Sequence, residues 1–371
     1  MLYRNFAAVF FSVGFAVMMT VFPGVSVEAV YDALKLWALT VVPALLPFFI
    51  CSNFMQETGF TDSLAGVAEP AVRRLFRTSG VCGFPFIMSL VSGYPAGVKI
   101  LSDARLSGKI SKEDADTGIT FCSTSGPLFM IGAVGTGMLD SETSGWIIAL
   151  SHYLGAAANG ILFGRILKKE RITAPSYPVT GKLFYSETKI NCNEAAVKSI
   201  MDAVKTLFII GGYMAVFMMA IYYIKMTGLE TSPWFPGILE LSAGCRETAG
   251  YVYYTGMQKT VICSALISFG GACVLFQSLS FIGRTDISIK LFLLSKVCHS
   301  AFAGIFSYMM CKAVYILHPA SMNVFSFAAD YSLQEPGKAD SFITFCFPEV
   351  RYACLLCYLL HLSQYIMREL R

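Results

Sequence analysis

The chain has 371 residues, of which 55% are hydrophobic and only 14% are charged, against about 25% charged residues in an ordinary soluble domain. A soluble protein of this composition would expose more apolar surface than water tolerates. The composition and the small net charge of +4 therefore exclude disordered, collagen-like and nucleic-acid-binding proteins. They predict an all-α polytopic membrane protein that lies in the lipid bilayer.

Eight apolar segments are long enough to cross the bilayer core, which needs about 20 apolar residues per helix. In chain order they are residues 6–27, 33–55, 119–139, 146–167, 200–226, 260–282, 291–317 and 350–367. The first segment follows Arg4 and could be read as a signal peptide. No clear small-residue cleavage site follows it, so we interpret residues 6–27 as an uncleaved helix.

Two further apolar segments, residues 81–98 and 234–250, are too short and too broken to cross. Pro85 and Gly93 interrupt the first, and Pro236 interrupts the second. We predict re-entrant hairpins, which occur at membrane depth where protein buries them or where they line a cavity. With these hairpins and an inside N-terminus, most of the 28 Lys and Arg residues lie on the cytoplasmic side, together with both chain termini. This agrees with the positive-inside rule.

The order helix, hairpin, interrupted helix, helix occurs twice, in residues 33–167 and in residues 200–317. Each copy contains three crossings, so the second copy is expected to be inverted, and inverted repeats of this kind recur in secondary transporters. The rest of the predicted organisation is an N-terminal helix in 1–32, a polar cytoplasmic linker in 168–199, and an outside loop with a last helix in 318–371. Any helix-rich membrane protein can be divided into similar halves, and the matched breaks favour the repeat.

Polar residues concentrate where the helices of the first copy are predicted to break. Glycine and proline free backbone groups there, and helix N-termini at such breaks carry partial positive charge that binds anions. The candidate binding residues of this copy are Ser92, Gly93, Tyr94, Lys99, Ser123, Thr124, Ser125 and Gly126. The alternative is a simple kink whose freed backbone groups are satisfied by the hydroxyls.

The second copy contributes Glu240, Ser242, Arg246 and Ser268 as candidate binding residues. A charge buried in lipid is costly and usually functional. Glu240 is therefore a candidate carboxylate for coupling to a proton or to sodium, and Arg246, like Lys99, is a candidate partner of an anionic substrate. A structural alternative is that Glu240 and Arg246 pair with each other.

Two histidines and two lysines also lie in or near the predicted spans. We expect His152 and His299 to make helix–helix hydrogen bonds more often than to move protons. We expect Lys296 and Lys312 to extend toward the membrane interface.

No constellation of residues indicates an enzyme, a metal site or a cofactor. Most of the 12 cysteines lie in apolar segments and are expected to pack as small apolar residues. Cys354 and Cys357 form a CxxC, but no second pair or histidine cluster completes a zinc site. Ser-His-Asp, HExxH, GxSxG and P-loop patterns are absent from the sequence, so neither catalysis nor ATP-driven transport is expected.

Two segments carry a family resemblance. Residues 83–97 include Gly-Phe-Pro and Ser-Gly-Tyr-Pro-Ala-Gly, and residues 125–132 include Ser-Gly-Pro-Leu-Phe and Ile-Gly. With a weaker counterpart, Leu-Glu-Leu-Ser-Ala-Gly at 239–244, these motifs resemble the YlbJ-type sporulation integral membrane proteins. Those proteins contain the nucleoside-recognition, or Gate, domain. The resemblance covers roughly residues 33–317.

The resemblance implies a fold like the core of the concentrative nucleoside transporters, in which two re-entrant hairpins and two unwound helices form the site. It also implies transport of a small anion, dipicolinic acid, from the mother cell across the outer forespore membrane of a sporulating bacterium. Other sporulation membrane proteins and further copies of the same chain are then possible partners. Proton or sodium coupling is left open.

One departure bears on the substrate. The nucleoside transporters have an acidic residue in the first hairpin, whereas residues 81–98 contain no Asp or Glu. The absence of an acidic residue argues against a nucleoside as the substrate and is compatible with an anionic substrate. Three alternatives stay open: a nucleoside or other metabolite transporter on the same fold, a membrane scaffold for sporulation that does not transport, and a membrane enzyme.

Overall fold

The structure is a computed structural model, and it describes residues 2–58, 69–167, 191–228 and 232–317. Across these ranges the chain forms helices and turns, without a strand. Three predicted features fall wholly or mostly outside the described residues: the linker up to residue 190, the loop that follows residue 317, and the span 350–367. The described part of the predicted linker, from Cys192 onward, belongs to a helix.

The helices are α1 Leu2–Val21, α2 Pro23–Leu36, α3 Val42–Glu57, α4 Glu69–Phe76, α5 Gly83–Ser92, α6 Ala96–Leu106, α7 Lys112–Gly118, α8 Glu142–Leu167, α9 Cys192–Met226, α10 Pro236–Leu239, α11 Leu241–Gly250, α12 Gly256–Phe269, α13 Gly271–Ile282 and α14 Ile289–Leu317. Two segments are wound as π-helix, Trp37–Val41 between α2 and α3 and Leu128–Thr136 before α8. A short 3₁₀ turn, Gly80–Cys82, leads into α5.

Five helical segments of the described ranges are long and apolar enough to cross a membrane. They are Pro23–Met55, Glu142–Leu167, Cys192–Met226, Gly256–Ile282 and Ile289–Val314. These correspond to five of the eight predicted spans. The bent pair Glu69–Phe76 and Gly80–Ser92, whose axes differ by 109°, would count as a sixth span if it crosses. The chain is thus an integral membrane protein, and the full count of eight stays a prediction.

The first predicted span, residues 6–27, does not match one helix. The chain bends at Phe22, and Pro23 begins a new helix. Proline fits the first turn of a helix because its missing N–H would have no intrahelical partner there. The apolar part of α1 that can be assessed, Ser12–Val21, is short for a crossing.

The predicted crossing at 119–139 is also not one helix. After α7 the chain turns, runs without regular structure from Ser123 to Gly126, and then enters the π-helical segment. Pro127 has no backbone N–H and disfavours a helical conformation of the residue before it. The interruption predicted from the sequence is present here, and it is wide enough to divide the segment.

The segment predicted as the first hairpin is a helix–turn–helix made by α5 and α6. The turn needs Gly93, whose φ is +76°. A Cβ at Gly93 would lie 2.6 Å from the backbone nitrogen of Gly126. The tip of the first hairpin therefore lies directly against the break that follows α7, with no side chain between the two backbones.

The segment predicted as the second hairpin consists of α10 and α11, which meet at Glu240. Gly237 and Gly244 let the two helices approach closely, because a Cβ at Gly244 would overlap the backbone of Gly237. The predicted break in residues 260–282 is also present. Here α12 ends at Phe269, and Gly270 adopts φ +91° before α13 begins.

The helices pack in two groups. In the first, α2 and α3 pack against α9 around Ala29, Ala33 and Leu207, and the indole nitrogen of Trp37 donates to the carbonyl of Leu207 at 2.9 Å. We call this the scaffold group. In the second, α8 packs against α12 and α14, α5 packs against α6, and α6 packs against α13. We call this the hairpin group, and it also includes α11.

An exposed ion pair joins α6 to the loop between α13 and α14. The Arg105 guanidinium donates two hydrogen bonds of 2.8 Å to the carboxylate of Asp286. These bonds hold the pKa of the Asp286 carboxyl below its ordinary value. The same loop is fixed a second time, because the Ser288 backbone nitrogen donates to Asp116 at 2.8 Å. Both links connect the two predicted repeats within the hairpin group.

Candidate functional site

A small cavity of about 50 Å³ lies where the two groups meet, which is room for a few water molecules. The scaffold group supplies an apolar wall, and the hairpin group supplies most of the polar wall. The cavity is lined by Val41, Leu45, Ile210 and Met214 on the scaffold side and by Gly93, Tyr94, Ser125, Gly126, Phe129, Glu240, Leu241, Ser242, Cys273, Val274 and Gln277 on the other. We call it the central cavity.

Three helices begin close to the central cavity. The α6 helix begins just after Tyr94, α11 begins just after Glu240, and α13 begins shortly before Cys273. The first turn of a helix has free backbone N–H groups and a partial positive charge. Helix starts that converge in this way favour a negatively charged group in the space between them.

Glu240 lies on the cavity wall and is 2% exposed. Its carboxylate caps α11, accepting a hydrogen bond of 2.6 Å from the backbone nitrogen of Ala243. A carboxylate at this position satisfies one of the free N–H groups and matches the helix dipole. The start of α11 is therefore already occupied by a negative group of the protein itself.

The two basic side chains predicted to hold an anion lie away from the central cavity. Lys99 is exposed on α6, and it is not among the lining residues. Arg246 is paired with Asp32 of α2 at 3.7 Å. The alternative in which Arg246 pairs with Glu240 is not seen as a direct ion pair among the described residues, although the Arg246 charge still acts on the Glu240 carboxylate, which caps α11.

Lys296 contacts the Tyr94 side chain on the side away from the central cavity. The Nζ of Lys296 donates to the Tyr94 hydroxyl at 3.1 Å and lies 4.6 Å from the centroid of the Tyr94 ring. The Tyr94 hydroxyl in turn donates to the carbonyl of Ile267 at 2.9 Å. Lys296 is 2% exposed, so the expectation that it extends to the membrane interface is wrong.

Ser125 is held by a histidine. The backbone nitrogen of Ser125 donates to Nε2 of His152 at 2.9 Å, and Nδ1 of the same ring lies 2.7 Å from the Ser268 hydroxyl. Because Nε2 accepts, the proton of a neutral ring is on Nδ1 and is donated to Ser268. His152 thus joins the first break to the end of α12. The Nε2 of His299 donates to the carbonyl of His152 at 2.9 Å, which supports the predicted helix–helix role of both histidines.

The remaining predicted residues lie behind the cavity wall. The Ser123 carbonyl accepts a hydrogen bond of 3.0 Å from Lys296. The Thr124 hydroxyl donates to Ser89 at 3.0 Å, and the Ser92 hydroxyl bonds to Ser52 of α3. These three residues and Ser268 hold the tips and breaks in position, and none of the four is among the lining residues. We call Tyr94, Ser123, Ser125, His152, Ser268 and Lys296 the polar junction.

Of the 12 residues predicted from the sequence, six line the central cavity: Gly93, Tyr94, Ser125, Gly126, Glu240 and Ser242. Sequence reasoning missed the place of Lys296 and His152 at the polar junction, the cavity side chain of Gln277, and the apolar wall. Lys296 did carry a signal, since an ionisable residue inside an apolar segment is by default a functional candidate. The residues of the apolar wall could not be predicted, because Val41 and Ile210 do not differ in sequence pattern from other lipid-facing or core residues.

The described residues hold no cluster of three or more His, Cys, Asp or Glu side chains suited to a metal ion. What the arrangement offers is a small polar cavity with converging helix starts, one capped carboxylate and a buried amine behind a tyrosine. Such a site is suited to binding a small polar solute.

The chain is similar in sequence to known proteins. The family model for nucleoside recognition, named Gate, matches residues 38–230. The sporulation integral membrane protein YlbJ of Bacillus subtilis (strain 168) is 28% identical over 324 residues, which is 79% of each chain. No solved structure matches the chain.

Proposed function

The chain belongs to the Gate, or nucleoside-recognition, family, and we propose that it is a secondary transporter of a small organic anion. The observation that supports transport most directly is the central cavity, because it lies between two packed groups and is bounded by both predicted hairpin tips. Substrate sites of secondary transporters typically lie where broken helices of two repeats meet. Re-entrant hairpins and an inverted arrangement of the repeats are part of this proposal.

An anion is favoured over a nucleoside by the charges around the cavity. Glu240 is the acidic side chain among the lining residues, and its carboxylate is already bound to the start of α11. The starts of α6 and α13 offer partial positive charge. The acceptors that the rest of the cavity wall offers to a nucleoside hydroxyl are neutral, such as the amide oxygen of Gln277 and the hydroxyl of Ser242.

The proposed solute is dipicolinic acid, and the proposed membrane is the outer forespore membrane. The support is the similarity to a sporulation integral membrane protein over 79% of the chain. A rigid dianion of this kind is larger than the central cavity, so binding requires the two groups to separate. Glu240 is then the candidate site for a coupling proton or sodium ion, because its carboxylate faces the cavity.

The test is uptake of labelled dipicolinate, with labelled uridine in parallel, into liposomes that contain the purified protein. We expect saturable dipicolinate uptake that falls at least about tenfold in Glu240→Gln and in Ser125→Ala, since each change alters the cavity wall. Glu113→Gln, a change of the same kind at an exposed position of α7, is the matched control and should transport normally.

The outcomes separate the alternatives. Saturable uridine uptake without dipicolinate uptake would replace the anion by a nucleoside on the same fold. Absence of both fluxes from folded protein under imposed proton and sodium gradients would overturn transport and favour a membrane scaffold.

A further inference from the structure

The most unusual ionisable side chain in the described part of the chain is Lys296. This residue lies in the second turn of α14 and is among the largest fully buried side chains. Its Nζ reaches the first hairpin tip at Tyr94 and the first break at Ser123. Its Cε lies 3.7 Å from where a Cβ at Gly270 would be, which is the second break. The amine therefore contacts two of the irregular segments around the central cavity, and the side-chain stem lies close to a third.

The amine has no counter-ion within the described residues. None of their ion pairs includes Lys296. An ammonium group has three protons to donate, and two hydrogen bonds to neutral oxygens are present. Beside it, the hydroxyl of Ser123 is buried and has no hydrogen-bond partner. A buried cation without a partner is costly, and such sites are retained where function needs them.

Tyr94 connects this amine to the central cavity. The Tyr94 side chain lines the cavity, while its hydroxyl accepts from Lys296 and donates to Ile267. A modest movement of the tyrosine would let a solute in the cavity reach the amine. Glu240, whose carboxylate caps α11, forms no ion pair with Lys296 among the described residues.

We propose that Lys296 is the cation that binds a carboxylate of the transported anion, with the Tyr94 hydroxyl and Ser123 holding the amine in place until the solute arrives. This inference rests on the proposed function and names the charge that the site uses. It assigns to Lys296 the role in anion binding that was predicted for Lys99 and Arg246. The solute supplies the negative charge that the polar junction lacks.

The test compares Lys296→Met, which removes the charge and keeps the length of the side chain, with Lys205→Met, the same change at an exposed position of α9. Uptake into liposomes is measured for pyridine-2,6-dicarboxylate and for pyridine-2-carboxylate. In Lys296→Met we expect the KM for the dicarboxylate to rise at least about tenfold and the KM for the monocarboxylate to rise less, because one ion contact is lost. Lys296→Arg, which keeps the charge, should retain the preference for the dicarboxylate.

The results distinguish failure of this inference from failure of the proposed function. If the wild-type protein transports neither anion, both the inference about Lys296 and the proposed function are wrong. Wild-type protein that moves the dicarboxylate, with Lys296→Met unchanged in KM and in its ratio of the two substrates, overturns the role of Lys296 alone. If Lys296→Met does not fold, Tyr94→Phe removes one of the two partners of the amine and should lower the KM for the dicarboxylate severalfold. An unchanged or raised KM in Tyr94→Phe would then overturn the inference.

Discussion

At the scale of single residues, the site is built by backbone contacts that leave no room for side chains. Gly93 combines φ +76° with a position against the backbone of Gly126. An alanine there has to adopt an unfavourable conformation and displace the break as well.

Gly93→Ala is therefore expected to reduce stability by about 1–3 kcal/mol and to abolish transport. The measurement is the apparent Tm of the purified protein in detergent, together with liposome uptake. Gly212→Ala is the control, because nothing lies within 4 Å of a Cβ at that exposed position of α9. Equal Tm values for the two variants would show that the hairpin tip does not need a glycine.

His152 gives a second prediction at this scale. His152→Ala leaves the backbone nitrogen of Ser125 and the Ser268 hydroxyl without their partner. An unsatisfied buried polar group costs about 1–3 kcal/mol, so the apparent Tm should fall. Ser268→Ala removes one of the two bonds and should lower the Tm less. A larger loss in Ser268→Ala than in His152→Ala would contradict the bridging role of the ring.

At the scale of helices, α8 is the element that ties the broken segments together. The side-chain nitrogen of Asn159 donates to the carbonyl of Thr120 at 2.6 Å and to the carbonyl of Ser295 at 3.0 Å. Thr120 lies just before the first break, and Ser295 lies beside Lys296 on α14. The side-chain amide of Asn159 thus fixes the position of α14 along its axis relative to the end of α7.

Asn159→Leu keeps the number and branching of the side-chain heavy atoms and removes both bonds, so two buried carbonyls lose a donor. We expect a lower apparent Tm, by an amount that corresponds to about 1–3 kcal/mol for each carbonyl. We also expect a raised KM, because Lys296 and the first break lose their common support. Asn193→Leu at an exposed position of α9 controls for the change of residue type. An unaltered KM in folded Asn159→Leu would show that the position of α14 does not matter for binding.

Much of this element structure could be predicted from the sequence, and the reasons differ by segment. Proline and glycine act locally, so the interruptions within residues 81–98, 119–139, 234–250 and 260–282 could be predicted. The contacts of Lys296 with Ser123 and of His152 with Ser268 are set by helix packing between residues more than 100 positions apart. Hydropathy and local motifs contain no information on such pairs. For the same reason Arg246 was assigned to an anion, although α2 brings Asp32 to it.

At the scale of the whole molecule, the scaffold group and the hairpin group meet along an apolar wall with few polar links. Two exposed ion pairs join α11 to the scaffold group. Arg246 pairs with Asp32 of α2, and Lys225 of α9 pairs with Glu247 at 2.5 Å. Since the central cavity is too small for the proposed solute, the proposed transport cycle requires these surfaces to separate.

Glu247→Gln removes the ion pair between α9 and α11 and should raise kcat by up to about fivefold, with little change in KM. The reason is that an exposed pair contributes about 0–1 kcal/mol to the closed arrangement. Asp286→Asn breaks the pair with Arg105 inside the hairpin group and is the matched control, expected to leave kcat unchanged. The measurement is the initial rate of uptake at saturating substrate. Equal effects of the two variants would show that α11 does not move relative to α9.

The two pairs of α11 also make the molecule sensitive to its ionic surroundings. Arg246 and Lys225 are substantially exposed, with relative side-chain areas of 40% and 45%. Dissolved ions screen charges over about 8 Å at physiological ionic strength and over about 3 Å at 1 M. Because Arg246 and Glu247 are adjacent in sequence, both ion pairs lie at the same part of α11. Salt added on that side of the membrane therefore weakens both ion pairs together. A turnover rate that rises with salt on one side of the bilayer, and does not respond to salt on the other, is the expected consequence.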